Sequence, residues 1–200
     1  MQAVIKINWV IILLTGLVLS ACATTKPVGE WRSDSFSGSV DDILIIGVTS
    51  RTTRRRLFED QFAAGLATYN KKAVASYKLL ESSLYLTRDV IERAIKGQDI
   101  GAVLITRLVG IKEKEVFREP ANYDYHRGYF GYYDHAWQKT NTGYYSEYKV
   151  FTLETNLYDV ASGELVWSMQ SETMDVSQPR EIIKEQIELS INSLVRQGLI

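Results

Sequence analysis

Two hundred residues, 46% of them apolar and 24% charged, describe an ordinary globular chain rather than a disordered or fibrous one. A net charge of −1, from 23 Lys and Arg against 24 Asp and Glu, lacks the basic footprint of nucleic-acid binding, so no nucleic acid is expected as a partner. One cysteine excludes an intrachain disulfide, and two histidines leave little material for zinc, so neither a metal nor another cofactor is expected. The aromatic complement of 4 Trp, 12 Tyr and 6 Phe is rich in tyrosine.

The chain opens with Lys6, continues through Trp9-Val10-Ile11-Ile12-Leu13-Leu14 and Leu17-Val18-Leu19, and closes on small residues. That is the layout of a secretory signal peptide over residues 1–21. Thr15-Gly16 breaks the apolar core, which ends short of the about twenty residues that a spanning helix needs. Leu19-Ser20-Ala21-Cys22 resembles the bacterial lipobox. The resemblance implies diacylglyceryl transfer to the sulfur, cleavage before Cys22 and acylation of the new amine. Sulfur is the nucleophile of that chemistry, which gives the only cysteine of the chain a use. Cys22 is the expected lipidation site, and two or more acyl chains, palmitate among them, would anchor the protein stably to a membrane. Ala23 stands where enteric lipoproteins retained in the inner membrane carry aspartate. The resemblance thus implies an outer-membrane lipoprotein on the periplasmic face.

Residues 22–39 are polar, carry Pro27 and lack periodicity, and read as a flexible tether of at most about 60 Å. Residues 40–200 are expected to form one globular domain. Ile43–Thr49 (ILIIGVT) suits a strand buried on both faces. Arg54–Tyr69 follows as a helix, with Phe58, Phe62, Leu66 and Tyr69 on one face and Thr52 or Thr53 as its N-cap. Lys72–Leu79 reads as a second strand, and Thr87–Lys96 as a helix closed by Gly97. Ala102–Phe117 begins apolar and ends in Lys112-Glu113-Lys114-Glu115, a strand whose charged tail runs beyond its covering helices and discourages edge pairing. Tyr145–Val160 and Leu165–Thr173 alternate apolar and polar residues around the turn Asp159-Val160-Ala161-Ser162-Gly163. Pro179 opens a last helix with a stripe of Ile183, Ile187, Ile191, Leu194 and Val195.

The order β-α-β-α-β-β-β-α predicts an α/β (α+β mixed sheet) fold. Right-handed crossovers give a five-stranded mixed sheet of order 2-1-3-4-5 with helices on both faces. The lipobox cysteine, the ILIIGVT strand leading into a helix, the DIGAVLITRLVG strand and the LYDVASGELVWS hairpin resemble bacterial lipoproteins whose domain is similar to the TolB N-terminal domain. Penicillin-binding-protein activator and curli secretion lipoproteins belong to that group. The likeness covers roughly residues 40–200 and implies a fold and an accessory or assembly role, with no catalytic residues to carry over. The chain departs from the curli channel in lacking a membrane-spanning hairpin pattern.

Eight of the twelve tyrosines lie between Tyr123 and Tyr148, joined by Phe130 and Trp137. With Gly128, Gly131 and Gly143 interrupting any helix, the segment at about 118–144 is expected to be a long loop. Tyr125, Tyr129, Phe130, Tyr132, Tyr133 and Trp137 are its candidate partner-binding residues, since such rings offer large contact area with a polar tip. Recognition of an envelope protein or glycan, a lid folded over the sheet, and contact with a membrane surface remain alternatives. The Asp-His pairs around His126 and His135 could offer nitrogen and oxygen ligands, but nothing fixes their geometry. At the carboxyl end of the first strand, Ser50, Thr52, Thr53, Arg54 and Arg55 form a candidate anion-binding corner, where open α/β sheets bind ligands. Glu59 and Asp60, one turn on, could instead neutralise the arginines. No glycine-rich phosphate loop is present, and no nucleophile-base motif indicates an enzyme. The expected function is that of a lipid-anchored accessory protein of the cell envelope, the alternative being a homo-oligomeric assembly or secretion component.

Overall fold

The computed structural model describes residues 25–80, 87–119, 128–174 and 179–200. Residues 1–21, read as a signal peptide, and Cys22 and Tyr125 lie outside the described residues. The described chain runs β1 (Thr25–Arg32), β2 (Ile43–Val48), α1 (Thr52–Ala67), β3 (Ala73–Ala75), α2 (Ser76–Leu79), α3 (Arg88–Lys96), β4 (Ala102–Arg118), α4 (Tyr129–Thr142), β5 (Tyr144–Asp159), β6 (Leu165–Met174) and α5 (Pro179–Arg196). Its strands make one mixed sheet in the order β1-β6-β5-β4-β2-β3. β2 pairs in parallel with β3 and β4, and the remaining neighbours are antiparallel.

The Ile-Leu-Ile-Ile run of β2 explains the layering. Successive side chains of a strand point to opposite faces. Ile43 and Ile45 join a core with Phe58, Phe62 and Leu66 of α1 and Ile187, Ile191 and Leu194 of α5, while Leu44 and Ile46 pack with Ile91 and Ile95 of α3. Helices therefore cover both faces. Trp167 and Leu157 fill the first core with no exposed surface, and full burial of side chains this size stabilises by about 1.5–3 kcal/mol each. Gly65 lets α1 and α5 approach: a Cβ there would stand 2.6 Å from Cδ1 of Ile191.

The sheet departs from the five-stranded expectation by a sixth strand. β1, inside the segment read as tether, adds beyond β6 with Thr25 opposite Thr173 and Arg32 opposite Trp167. Pro27 lacks an N–H, which an edge strand tolerates, and the register shifts between Pro27 and Gly29. Side chains hold the strand down. Thr25 donates to Glu185 (2.7 Å), and Glu30 accepts from Trp167 and Ser193 and pairs with Arg196 at 2.7 Å. Burial works against the Glu30 charge, yet these hydrogen bonds, one from Gln197 and the Arg196 charge outweigh it and hold its pKa below the ordinary value.

Three local expectations are also corrected. The strand read at Lys72–Leu79 extends only over Ala73–Ala75, after which the chain coils into one turn, α2. The Ser76 hydroxyl and the Tyr77 N–H both donate to Glu59 of α1, which turns the backbone away from the ladder. The N-cap of α1 is Arg51, with no side-chain capping bond, rather than Thr52 or Thr53. The tyrosine-rich segment is not wholly a loop, because Tyr129–Thr142 forms α4. Gly128 precedes it at φ 87° and Gly143 ends it; Gly131 stays inside, at a cost of about 1 kcal/mol relative to alanine. By contrast, the β5–β6 turn follows the sequence expectation: Asp159 accepts from the Ser162 N–H and hydroxyl at 2.7 Å, with Gly163 at φ 72°.

β4 and β5 outrun the sheet. β4 pairs with β2 only as far as Arg107, and β5 meets β6 from Val150 onward. Beyond that, among the described residues, the two pair only with each other, from Glu113 opposite Lys149 to Arg118 opposite Tyr144. This two-stranded arm projects about 20 Å. The Lys112–Glu115 run is exposed on it, and Glu113 pairs with Lys149 across the strands at 3.3 Å.

Candidate functional site

α4 stands at the end of the arm. The Lys139 ammonium reaches Glu119, just past β4, at 3.4 Å, and Gly143 lies so close to the Phe117 ring that a Cβ there would run into it. Residues three and four apart share a helix face. Tyr129, Tyr133 and Trp137, flanked by Phe130 and Tyr132, accordingly form one aromatic stripe. These five side chains are 58–77% exposed, and no residue of α4 is buried. Neighbouring rings touch, Tyr129 with Phe130 at 4.2 Å and Tyr133 with Trp137 at 6.5 Å between centroids. The five rings therefore do not form a lid over the sheet. Asp134 and His135 also lie on α4, while Asp124 and His126 fall outside the described residues.

The second candidate is a cleft of about 410 Å³ at the carboxyl end of β2. Gly47, Val48 and Thr49 of β2 and the loop after it form one wall, with Arg54, Arg55 and Phe58 of α1 above it. Thr106, Arg107, Leu108 and Ile111 of β4 and Phe151 and Leu153 of β5 make the floor, and Ile182 and Ile183 of α5 close the far side. Of the sequence candidates, Arg54 and Arg55 line it, whereas Ser50, Thr52 and Thr53 are exposed outside it.

The arginines of that corner have different fates. Arg55 is buried and donates to Glu59 (2.9 Å) and to Ser76 (2.7 Å). Glu59, with no exposed surface, also accepts from the Gly47 N–H at 3.0 Å, so the pair staples α1 to β2 and α2. Arg56 lies 5.1 Å from the centre of the Tyr77 ring, and the Tyr77 hydroxyl and Lys78 both bond Asp60. Burial of Asp60 opposes its charge, but those two bonds and the charges of Lys78 and Arg56 prevail and lower its pKa. Arg107 pairs with Glu154 at 3.1 Å. The Glu154 pKa is lowered first by a hydrogen bond from Gln170, with Arg107 adding to it against burial. Arg54 alone of the cleft arginines makes no ion pair among the described residues.

Sequence reasoning found the arginines and missed the apolar floor. Phe151 and Leu153 alternate as core residues would and are partly buried, while Leu108 and Ile111 of β4 stay exposed beside them. Residue type carries no signal for that.

No family model matches the chain, and no curated protein matches it. Among solved structures, a point variant of the PelC dodecamer from Paraburkholderia phytofirmans is similar at 12% identity and a TM-score of 0.44, covering 86% of this chain and 99% of PelC. A second PelC dodecamer from the same organism matches at 11% identity and 0.42, covering 88% and 99%. The lipoprotein GNA1162 from Neisseria meningitidis matches at 10% identity and 0.42, covering 78% and 99%. Likenesses this distant carry no function across to this chain.

Proposed function

We propose that the chain is a lipid-anchored, non-enzymatic accessory protein of the bacterial envelope, tied to the outer membrane through Cys22 and binding another envelope component, a protein or a glycan, through α4. The observation that carries this reading is the exposed aromatic stripe of Tyr129, Phe130, Tyr132, Tyr133 and Trp137, raised on an arm with no described residue packed over it. Aromatic rings of this kind supply most of the contact energy at binding hot spots, and a clustered exposed patch is a mark of an interaction site. The anchor rests on the charged start, apolar core and Leu19-Ser20-Ala21-Cys22 ending.

A second reading, a homo-oligomer, is favoured by the strand edges of the arm, where β4 beyond Arg107 and β5 before Val150 pair, among the described residues, only with each other. Open edges of that length invite further pairing. A photoreactive residue at position 132 tests both: it should capture a distinct envelope component under the first reading and another copy of the chain under the second. Capture of neither would refute both.

A further inference from the structure

We propose that the cleft at the carboxyl ends of β2 and β4 binds a single-chain fatty acid, its tail along the apolar floor and its carboxylate on Arg54. The inference is independent of the partner of α4. Three observations converge on it. The cleft lies where the parallel connections diverge: α1 carries the chain from β2 to β3 on one side, and the return through α3 places β4 on the other. The crevice outside the carboxyl ends of strands at such a reversal is where open α/β sheets hold ligands.

The floor is mostly apolar, and two of its aliphatic side chains stay exposed. Leu108 and Ile111 remain 47% and 53% exposed although they line a concavity with Phe58, Phe151 and Ile183. Apolar side chains kept open in a concavity are what a hydrophobic ligand fills. The charge at the rim is selective. Glu59 answers Arg55 and Glu154 answers Arg107, which leaves Arg54 as the one cation of the described lining without an ion pair. No Asp or Glu is among the described lining residues. A single guanidinium fits a head group with one negative charge and two oxygens, which it can bond as a fork. A volume of about 410 Å³ is near the small end of ligand pockets and suits one aliphatic chain rather than the pair of a phospholipid.

The test uses the full chain in digitonin, photolabelled with a diazirine-bearing dodecanoate and mapped by peptide mass spectrometry. Label is expected on the β4 and β5 peptides that contain Ile111 and Phe151, and excess dodecanoate should prevent it. Dodecanol should compete at least about tenfold less well, because it cannot make the charge-assisted bonds. Arg54→Gln changes an exposed residue and should weaken labelling about tenfold, with an unchanged melting temperature. Leu108→Asp should remove the label while the circular dichroism spectrum is kept. Label outside the cleft, or Arg54→Gln labelling as the unaltered chain does, overturns the proposal. Dodecyl phosphate competing better than dodecanoate reassigns the site to phosphate head groups and refutes the fatty acid.

Discussion

Replacing Arg55 by methionine keeps the apolar stem of the side chain and removes its guanidinium. Glu59 then retains its bonds from the Gly47 N–H, the Tyr77 N–H and the Ser76 hydroxyl but loses the cation bonded to it, at a position with no exposed surface. Stranding one member of a buried ion pair costs about 3–5 kcal/mol. Total stabilities are about 5–15 kcal/mol, so the loss is a large share. With a urea dependence of about 2 kcal/mol per molar, the unfolding midpoint should fall by about 2 M. Arg55→Met combined with Glu59→Gln removes the stranded charge and should be less destabilised than Arg55→Met alone by about 1 kcal/mol or more, a non-additivity expected of direct partners. Equilibrium urea unfolding followed by tryptophan fluorescence reads both. If Arg55→Met costs less than about 1 kcal/mol, the guanidinium is not what staples α1 to the sheet.

Other consequences follow from the same packing. Glu30 has a lowered pKa, so its contribution is complete above the ordinary carboxylate range and is lost as pH falls through its lower folded value. The unaltered chain should therefore lose more stability than Glu30→Gln between about pH 5 and 3, and parallel denaturation curves across that window would refute the linkage. Gly101→Ala would bring a Cβ within 2.8 Å of the Asp41 carbonyl oxygen, a backbone atom that cannot swing aside. A loss of about 1–3 kcal/mol is expected, read as a drop of several degrees in melting temperature. Cys22→Ala should abolish palmitate incorporation and leave the leader uncleaved, and label that persists would remove the anchor.

What the sequence made legible was whatever depends on local pattern. The apolar run of β2, the alternation of β5 and β6, the Asp159–Gly163 turn and the stripes of α1 and α5 each announce themselves within a few residues. β1 does not, because its stability is supplied from far along the chain: Thr173, Trp167, Glu185, Ser193 and Arg196 hold a segment whose own pattern, TKPVGEWR, buries little beyond Thr25. α2 turns where a strand was expected because Glu59, seventeen residues before Ser76, captures its hydroxyl. α4 was hidden by glycines that mark breaks in most contexts but here flank the helix at Gly128 and Gly143 and are tolerated within it at Gly131. At the cleft, the arginines were visible as residue types, yet which of them stays available is decided by Glu59 and Glu154, and no spacing rule distinguishes Arg54 from its neighbours.

The register of the sheet relates the anchor to the arm. Thr25 pairs with Thr173, Thr173 with Phe151 and Phe151 with Ile111, so the described chain begins in the row from which the arm departs. Thr25 lies three residues after Cys22, a reach of at most about 10 Å. From Ile111 the strand continues to Arg118, about 23 Å further, while the opposite end of β1, at Arg32, lies a similar distance behind. With Cys22 lipidated as proposed, a bilayer within that reach of Thr25 would lie toward the arm's side of the sheet, which would bring α4 near the membrane surface. Inserting about twenty Gly and Ser residues between Cys22 and Thr25 would free the domain by a root-mean-square distance of about 25 Å. Cross-linking from position 132 should then fall sharply if the component that α4 binds is itself held at the membrane. Capture at an unchanged level would show that the anchor does not place α4, and the geometric link between the two would fail.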